Sequence, residues 1–157
     1  MSYLWGFSQS GLEEVMRENG EARMARFLAS RIYRALREER ITSAADLSSL
    51  IEKLLPRRGR LHPATRLFQA LRIAVNRELQ HLETLLRRLP SLLAPGARFV
   101  AISYHSLEDR LIKRWLRRYG AEGVLKILTK KVVRASADEV AANRRARSAK
   151  LRAAEAL

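Results

Sequence analysis

A cluster of polar side chains at residues 103–109 contains the groups that most readily exchange protons. An apolar run, residues 99–102, precedes the cluster, whose members are Ser103, His105, Ser106, Glu108 and Asp109. Ligands of open α/β sheets lie beyond the carboxyl ends of strands, which is where these residues fall if the apolar run is a strand. His105 could act as a base oriented by a carboxylate, although groups this close in sequence do not form a catalytic triad. The alternative role for Ser106, Glu108 and Asp109 is to cap the following helix.

A second group of functional side chains shares one face of a predicted helix between His62 and Leu79. At about 100° per residue, an arc of roughly 60° holds Thr65, Gln69, Arg72 and Asn76. These side chains are donors and acceptors of fixed geometry, whereas an ordinary solvated face carries Glu and Lys. The face suits either phosphates and base edges or a buried hydrogen-bond network, and the residue types alone do not separate the two.

The C-terminal segment NRRARSAKLR is strongly basic. Its cations are Arg144, Arg145, Arg147, Lys150 and Arg152. They indicate either phosphate contacts or a frayed basic end. Two aromatic residues, Tyr104 and Trp115, could stack an unpaired base, but the helical spacing of Trp115 with apolar neighbours is more typical of a core position.

The net charge narrows the class of partner. The 157 residues include 31 Lys and Arg against 16 Asp and Glu, a formal charge of +15, with a pI near 11.3. This excess favours a nucleic-acid partner, because each neutralised phosphate releases condensed counterions. The alternative is a solvated basic surface without a ligand. A hydrophobic content of 47% is typical of a globular chain.

Several kinds of site are excluded by the composition. The chain has no cysteine, and its three histidines, His62, His81 and His105, lack metal-ligand spacing, so we expect no metal site. The seven glycines never form G-x-G, so we expect no nucleotide-cradling loop and no cofactor site in this chain. No run of 18 apolar residues and no charged leader appears. We expect a soluble, cytoplasmic protein without membrane contact.

The elements that must position these groups follow from periodicity and punctuation. We predict helices over about 8–20, 21–40, 42–56 and 63–88, with a basic loop at 57–60 and Pro90 breaking the last helix. Ser8 or Ser10 can cap the first of these helices, and Thr42 or Ser43 can begin the third. A strand at 98–103, a helix begun by Ser106, a second strand at 124–133 and a short helix capped by Ser136 follow. The composition shift predicts a helical domain at 1–90 and an α/β domain at 91–157. Two strands alone are too few for an independent sheet.

Three stretches in order resemble the C-terminal half of one enzyme family. They are HPATRLFQALRIAVNREL at 62–79, APGARFVAISYHSLEDRLIKRW at 94–115 and NRRARSAKLRAAE at 143–155, and GEARMARFLASRI at 20–32 is also similar. The resemblance is to the RsmH (MraW) family of S-adenosylmethionine-dependent methyltransferases, which act on N4 of a cytosine in bacterial small-subunit (16S) ribosomal RNA.

The resemblance implies an α/β fold that is incomplete in this chain. A helical substrate-recognition block would precede the last strands and helices of a Rossmann-like methyltransferase sheet. The family's glycine-rich S-adenosylmethionine loop and early strands would lie in an N-terminal half that this chain lacks. Residues 103–110 would border the pocket, without an assigned general base. The expected RNA-contact residues are His62, Thr65, Arg66, Gln69, Arg72, Asn76, Arg110, Arg145 and Arg147.

Three hypotheses follow for the chain as a whole. In the first, it is the C-terminal portion of such a methyltransferase, from a truncated, split or mis-started gene, and acts on ribosomal RNA or the small subunit only with a complementary N-terminal half. In the second, it is a non-catalytic basic RNA-binding protein. In the third, it is an unstable fragment, because a two-stranded sheet leaves an uncovered edge.

Overall fold

A computed structural model describes residues 6–19, 23–55 and 62–157. The chain divides into two compact units, Met1–Glu78 and Leu79–Leu157. The predicted stop of the third helix at Pro56 and the basic loop at 57–60 lie outside the described residues. Within the described ranges, no helix is both long enough and apolar enough to cross a membrane.

The first unit is helical. Its described helices are α1 (Gln9–Asn19), α2 (Ala25–Arg37), α3 (Ala44–Leu54) and α4 (Ala64–Val75). Apolar side chains at i, i+3 and i+4 from these helices meet in one core, whose largest fully buried members are Leu12, Met16, Leu28, Ile32, Ile41, Leu47, Ile51 and Leu67. The apolar stripes that the helical spacing predicts therefore face the core, with one exception. Phe27, which the same spacing places in the stripe of α2, is 40% exposed.

The starts of α1 and α3 are set by serine side chains, as predicted. Ser8 Oγ accepts a hydrogen bond from the Gly11 amide at 3.1 Å. Ser43 Oγ accepts from the Asp46 amide, and the Asp46 carboxylate accepts from the Ser43 amide, which completes a capping box. Four hydrogen bonds from Thr42 and Ser43 to Asp46 Oδ2, led by the Thr42 amide, lower the pKa of that carboxyl to about 2.

The single helix predicted over 63–88 is wrong, because the chain breaks between α4 and α5 (Glu78–Leu92). Asn76 ends α4, and Arg77 adopts a left-handed φ of 51°. This conformation normally requires Gly or Asn, so the sequence carries no signal for the break. The prediction that Pro90 ends the helix is also wrong, because Pro90 lies inside α5.

Pro90 is accommodated by a side chain from another helix of the second unit. Proline has no N–H, so the Leu86 carbonyl loses its usual helical donor four residues later. The Tyr119 hydroxyl lies 3.1 Å from the Leu86 carbonyl oxygen and 3.0 Å from that of Arg87. Its single proton is shared between two carbonyls that face the buried side of α5. The helix therefore continues to Leu92.

The second unit contains α5 and a small mixed α/β layer. Its further elements are β1 (Arg98–Ser103), α6 (Ser106–Ala121), β2 (Leu125–Ile127), α7 (Ala137–Ala142), a 3₁₀ helix (Arg144–Ser148) and β3 (Lys150–Ala156). The prediction for β1 is confirmed at both ends. The second predicted strand, 124–133, is shorter than expected, although Val133 forms an isolated bridge with Leu151.

The sheet has three antiparallel strands in the order β1-β3-β2. Its central strand is the basic C-terminal segment, so the predictions of a frayed end and of only two strands are wrong. Ala153, Ala154 and Ala156 lie in β3 and are buried. Alanine is a strong helix former, and burial between two strands overrides that preference here.

The two faces of this sheet differ. One face packs against α5 and α6 through Phe99, Ala154 and Leu125, together with Leu86, Ile112, Trp115 and Leu116 of the helices. The other face is apolar and open: Val100 is 56% exposed and Ile102 is 55% exposed. Leu128 and Val133 are exposed as well. β1 is also an edge strand, so one side of its backbone is unpaired within the described sheet.

Candidate functional site

The carboxyl end of β1 and the start of α6 are joined by His105. This residue has an extended backbone (φ −134°, ψ 166°), and its Nδ1 accepts a hydrogen bond from the Glu108 amide at 3.4 Å. His105 is therefore the N-cap of α6, and the prediction that Ser106 caps this helix is wrong. Ser106 is already the first helical residue, and its side chain is exposed.

Glu108 closes this turn from the other side. Its Oε2 accepts a hydrogen bond from the Tyr104 amide at 3.1 Å and lies 3.3 Å from His105 Nε2. The neighbouring imidazole is the main cause that lowers the pKa of Glu108; desolvation opposes it, and the Tyr104 amide adds to the lowering. Glu108 is therefore an ionised acceptor that ties the strand end to the helix.

The geometry fixes the tautomer of His105. Because Nδ1 accepts a hydrogen bond, the proton of the neutral imidazole is on Nε2. The side chain is 10% exposed, and Nε2 lies beside Glu108 without hydrogen-bond geometry to any described group. The lone-pair nitrogen that a general base requires is occupied by the cap. The arrangement thus gives His105 a positioning contact at the strand end.

Asp109 faces the sheet and forms an ion pair with Arg152. Two hydrogen bonds join the guanidinium to the carboxylate, at 2.7 and 3.3 Å, and both side chains are largely buried. Arg152 lowers the pKa of Asp109, partly opposed by desolvation. The expectation that Arg152 contacts phosphate is therefore wrong, because its charge is used inside the unit to join the central strand to α6.

Ser103 lies at the end of β1 and is buried. Its hydroxyl donates to the Lys150 carbonyl at 3.5 Å, across the β1–β3 pair. Of the five predicted pocket residues, the structure brings His105 and Glu108 together, while Asp109 and Ser103 contact β3 and Ser106 faces solvent. These contacts join the end of β1, the start of α6 and β3 at one end of the sheet, and they leave few free polar groups in the described part of it.

The basic residues predicted to contact RNA in the second unit are exposed. Arg110 lies on α6, and both Arg145 and Arg147 lie on the 3₁₀ helix. Arg147 and Arg144 line a shallow groove of about 550 Å³ beside α7. Tyr104 is exposed, whereas Trp115 belongs to the core, as its spacing indicated.

The polar face of α4 is partly a hydrogen-bond network. Arg72 forms two hydrogen bonds with Glu78, Nε to Oε1 at 2.9 Å and Nη2 to Oε2 at 3.1 Å, and Asn76 Nδ2 donates to Glu78 Oε1 at 3.2 Å. The network spans the break after α4 and stabilises it. Arg72 and Asn76 are both exposed, so this is a surface network and not the buried network that the sequence left open. Contact of this face with phosphates or base edges stays a prediction.

The other predicted residues of this segment have different surroundings. Thr65 and Arg66 are exposed, and Gln69 is half-buried. His62 Nδ1 accepts a hydrogen bond from the Ala64 amide at 3.2 Å, and its Nε2 lies 2.7 Å from Glu52 Oε1. His62 therefore helps to begin α4 and joins it to α3.

Two functional partners were missed from the sequence. Arg152 was grouped with the basic tail, although its alternation with Leu151 and Ala153 could have indicated a strand. The role of Glu78 had no sequence signal. Glu78 reaches Arg72 and Asn76 because the chain turns at Arg77, where no glycine marks the break.

Comparison with known proteins agrees with the resemblance of the motifs. The model of the MraW methylase family matches residues 3–157. The chain belongs to the MraW methylase family. It is 44% identical over 149 residues to the ribosomal RNA small subunit methyltransferase H of Elusimicrobium minutum, covering 95% of this chain and 51% of that protein. The relative of the same name from Cyanothece is 48% identical over 151 residues, covering 96% and 49%.

The chain thus spans about half the length of the curated relatives it matches. A methyl donor of the S-adenosylmethionine type needs acceptors for its ribose and a turn that admits its amino-acid part. At the carboxyl end of β1, Ser103, Glu108 and Asp109 are already bonded within the unit. The two described glycines with positive φ, Gly96 and Gly123, lie at turns before β1 and β2. In this MraW family chain, neither the carboxyl end of β1 nor these two glycine turns therefore offers the groups that this cofactor would need.

Proposed function

We propose that this chain is the C-terminal portion of a ribosomal RNA methyltransferase, which positions the RNA and completes the catalytic sheet. A complementary N-terminal half would supply the S-adenosylmethionine site, and the assembled enzyme would methylate N4 of a cytosine in small-subunit ribosomal RNA. We expect such an enzyme to act in the cytoplasm, where its substrate is found.

The main support for this proposal is a three-stranded sheet with an open edge and an exposed apolar face, in a chain that spans about half the length of its relatives. Val100 and Ile102 of β1 expose apolar side chains on the face opposite the one that α5 and α6 of the second unit cover, and the outer backbone of β1 is unpaired within the described sheet. A Rossmann-like sheet has helices on both faces. Added strands beside β1 and a helix over Val100 and Ile102 would supply both missing parts.

The side chains of the edge strand β1 do not protect it from pairing with another strand. Natural edge strands are protected by charges, bulges or short length, because free backbone groups pair with other chains. The exposed positions at the centre of β1 are Val and Ile, and its only charged residue, Arg98, pairs with Glu155 at 3.1 Å. A strand with this character is suited to pairing with an edge strand of the proposed N-terminal half.

In the proposed reaction, the chain's own residues orient RNA. The exocyclic amine of cytosine is a poor nucleophile because its lone pair is delocalised into the ring, so it would have to be held in line with the methyl group of the donor. As the N–C bond formed, the donor's S–C bond would break, the thioether would leave and the amine would lose a proton. We propose that Arg110, Arg145 and Arg147 contact phosphate, and that Thr65, Arg66, Gln69 and His62 contribute contacts in the helical unit. Arg72 and Asn76 would act through their network with Glu78. No proton acceptor is assigned in this half.

Co-purification tests the assembly. The tagged chain is co-expressed with the N-terminal half of the Cyanothece relative, and we expect a stable complex. Ile102→Lys places a charge on the open face and should abolish co-purification, whereas Leu85→Lys, at an exposed apolar site on α5, should not. Absence of a complex with the unmodified chain, or equal loss in both variants, would contradict the proposed assembly.

A second candidate function is a non-catalytic RNA-binding protein. The charge of +15 favours it, because that charge is present without any partner half. The test is RNA binding by the purified chain across a salt series. Tight binding at moderate salt together with failure to assemble would favour this function, and loss of all affinity at modest salt would argue against it.

A further inference from the structure

The outer face of α2 is cationic without a balancing acid. The 13 residues of this helix include four arginines and no Asp or Glu. All four are exposed: Arg26, Arg31, Arg34 and Arg37. At about 100° per residue they lie within an arc of about 140°, opposite the buried stripe that contains Leu28 and Ile32.

These arginines are not used in ion pairs with the described residues. The salt bridges nearest in sequence join Arg40 to Glu38 and His62 to Glu52, and neither involves α2. An ordinary solvated helix alternates charges and gains from Glu–Arg pairs at i, i+4. Four positively charged side chains on one face repel each other, and a bound anion would offset this repulsion.

A phenylalanine lies within the same face. Phe27 is 40% exposed, and the Arg31 guanidinium carbon lies 5.5 Å from the ring centroid. The contact holds a planar cation and an aromatic ring together at the surface. Exposed aromatic rings beside arginine are the groups on which unpaired bases stack, while neighbouring arginines bind phosphate with two donors.

We infer that the outer face of α2, defined by Arg26, Phe27, Arg31, Arg34 and Arg37, is a binding surface for single-stranded RNA. Phosphates contact Arg26, Arg34 and Arg37, and one base stacks at Phe27 and Arg31. The choice of RNA over another polyanion rests on the proposed function, and the aromatic ring is an independent reason, because a duplex or an acidic peptide has no splayed base to stack.

A groove between α1 and α2 extends this surface. It is lined by Gln9, Ser10, Glu13, Arg26 and Tyr33 and has a volume of about 510 Å³. Arg26 belongs to both the groove and the α2 face. Glu13 disfavours a phosphate in this groove, whereas the amide, the hydroxyl groups and the second aromatic ring beside Arg26 can contact the base or sugar of a neighbouring nucleotide.

The test uses the full chain and a labelled single-stranded RNA of about 16 nucleotides, within the span of ordinary single-strand sites. The triple variant Arg26→Gln, Arg34→Gln, Arg37→Gln removes three cations from the α2 face. The matched control, Arg87→Gln, Arg88→Gln, Arg117→Gln, removes three exposed cations from helices of the second unit and changes the net charge equally. Circular dichroism establishes that both variants retain their helices.

The expected result is a change in the salt dependence of binding. Each single-strand phosphate contact contributes about 0.7 to the slope of log K against log salt, so the α2 variant should reduce the slope by about 2 and the control by much less. Phe27→Leu should weaken single-strand binding about tenfold at unchanged slope, and duplex binding little. Equal slopes in both triple variants, or no effect of Phe27→Leu, would overturn the inference. A failure of methyl transfer alone would leave these binding results unchanged.

Discussion

The Tyr119 hydroxyl should stabilise α5 strongly, because Pro90 leaves the Leu86 carbonyl without its helical donor. Tyr119→Phe removes the donor that reaches the Leu86 and Arg87 carbonyls at 3.1 and 3.0 Å. Burial raises the pKa of Tyr119, so the hydroxyl stays a donor at neutral pH. A net hydrogen bond is worth about 1 kcal/mol, and an unsatisfied buried carbonyl costs about 1–3 kcal/mol. We expect Tyr119→Phe to lower the free energy of unfolding by about 2 kcal/mol.

The dependence on Pro90 makes this prediction specific. Pro90→Ala restores an N–H that can reach the Leu86 carbonyl. In the Pro90→Ala background, Tyr119→Phe should then cost about 1 kcal/mol, because only the share of the hydroxyl that reaches Arg87 is lost. The coupling between the two positions should therefore be about 1 kcal/mol in a double-mutant cycle.

Denaturant unfolding followed by tryptophan fluorescence measures this coupling. A Trp5→Phe background leaves Trp115 as the only tryptophan, since the chain has two. The Trp115 ring centroid lies 5.5 Å from that of Tyr119, so the signal reports the second unit. An equal cost of Tyr119→Phe in both backgrounds, within about 0.3 kcal/mol, would refute the role assigned to the hydroxyl.

Three further predictions concern ion pairs and caps. Arg152→Met should destabilise the second unit by about 2–3 kcal/mol, because it strands the partly buried Asp109 carboxylate. The pKa of Asp109 is lower in the folded chain than its value near 3.8 in the unfolded chain. The loss of stability should therefore be complete above the unfolded pKa and should disappear as the pH falls through the folded pKa. Urea unfolding at a series of pH values measures this dependence. His105→Ala should cost about 1 kcal/mol as a lost N-cap, while His105→Asn should retain most of it in thermal melts. Asp46→Ala should destabilise α3, and the difference in stability from the unmodified chain should be present above pH 4 and lost towards pH 2. Ser43→Ala should also destabilise α3 at pH 7, because it removes the hydroxyl that caps the helix.

Elements whose ends are marked by side-chain chemistry were predictable. An apolar run after a Pro-Gly turn indicated β1, and Ser43 indicated the start of α3, because a short hydroxyl there satisfies free amides of the first turn. The buried stripes of α2 and α3 followed from periodicity. These local signals needed no knowledge of the neighbouring chain.

Elements that depend on distant contacts were not predictable. β3 is rich in alanine, and only its pairing with β1 and β2 makes it a strand. Pro90 stays helical because Tyr119, about thirty residues later, supplies a donor. The left-handed conformation of Arg77 has no glycine to announce it.

The candidate site shows the same division. The proximity of His105 and Glu108 follows from their spacing of three at a helix start, which also explains why the imidazole became the cap. The pairing of Asp109 with Arg152 joins residues 43 positions apart and required the sheet order. The domain boundary predicted near Pro90 stays a prediction. The compact units of the structure divide after Glu78.

Methyl transfer by the reassembled enzyme tests the central claim most directly. The purified chain is mixed with the N-terminal half of the Cyanothece relative, isotopically labelled S-adenosylmethionine and unmethylated small ribosomal subunits, and the nucleosides are identified by mass spectrometry. We expect labelled N4-methylcytidine only when both halves are present. Complex formation without any labelled cytidine, or labelling by the N-terminal half alone at the same rate, would contradict it.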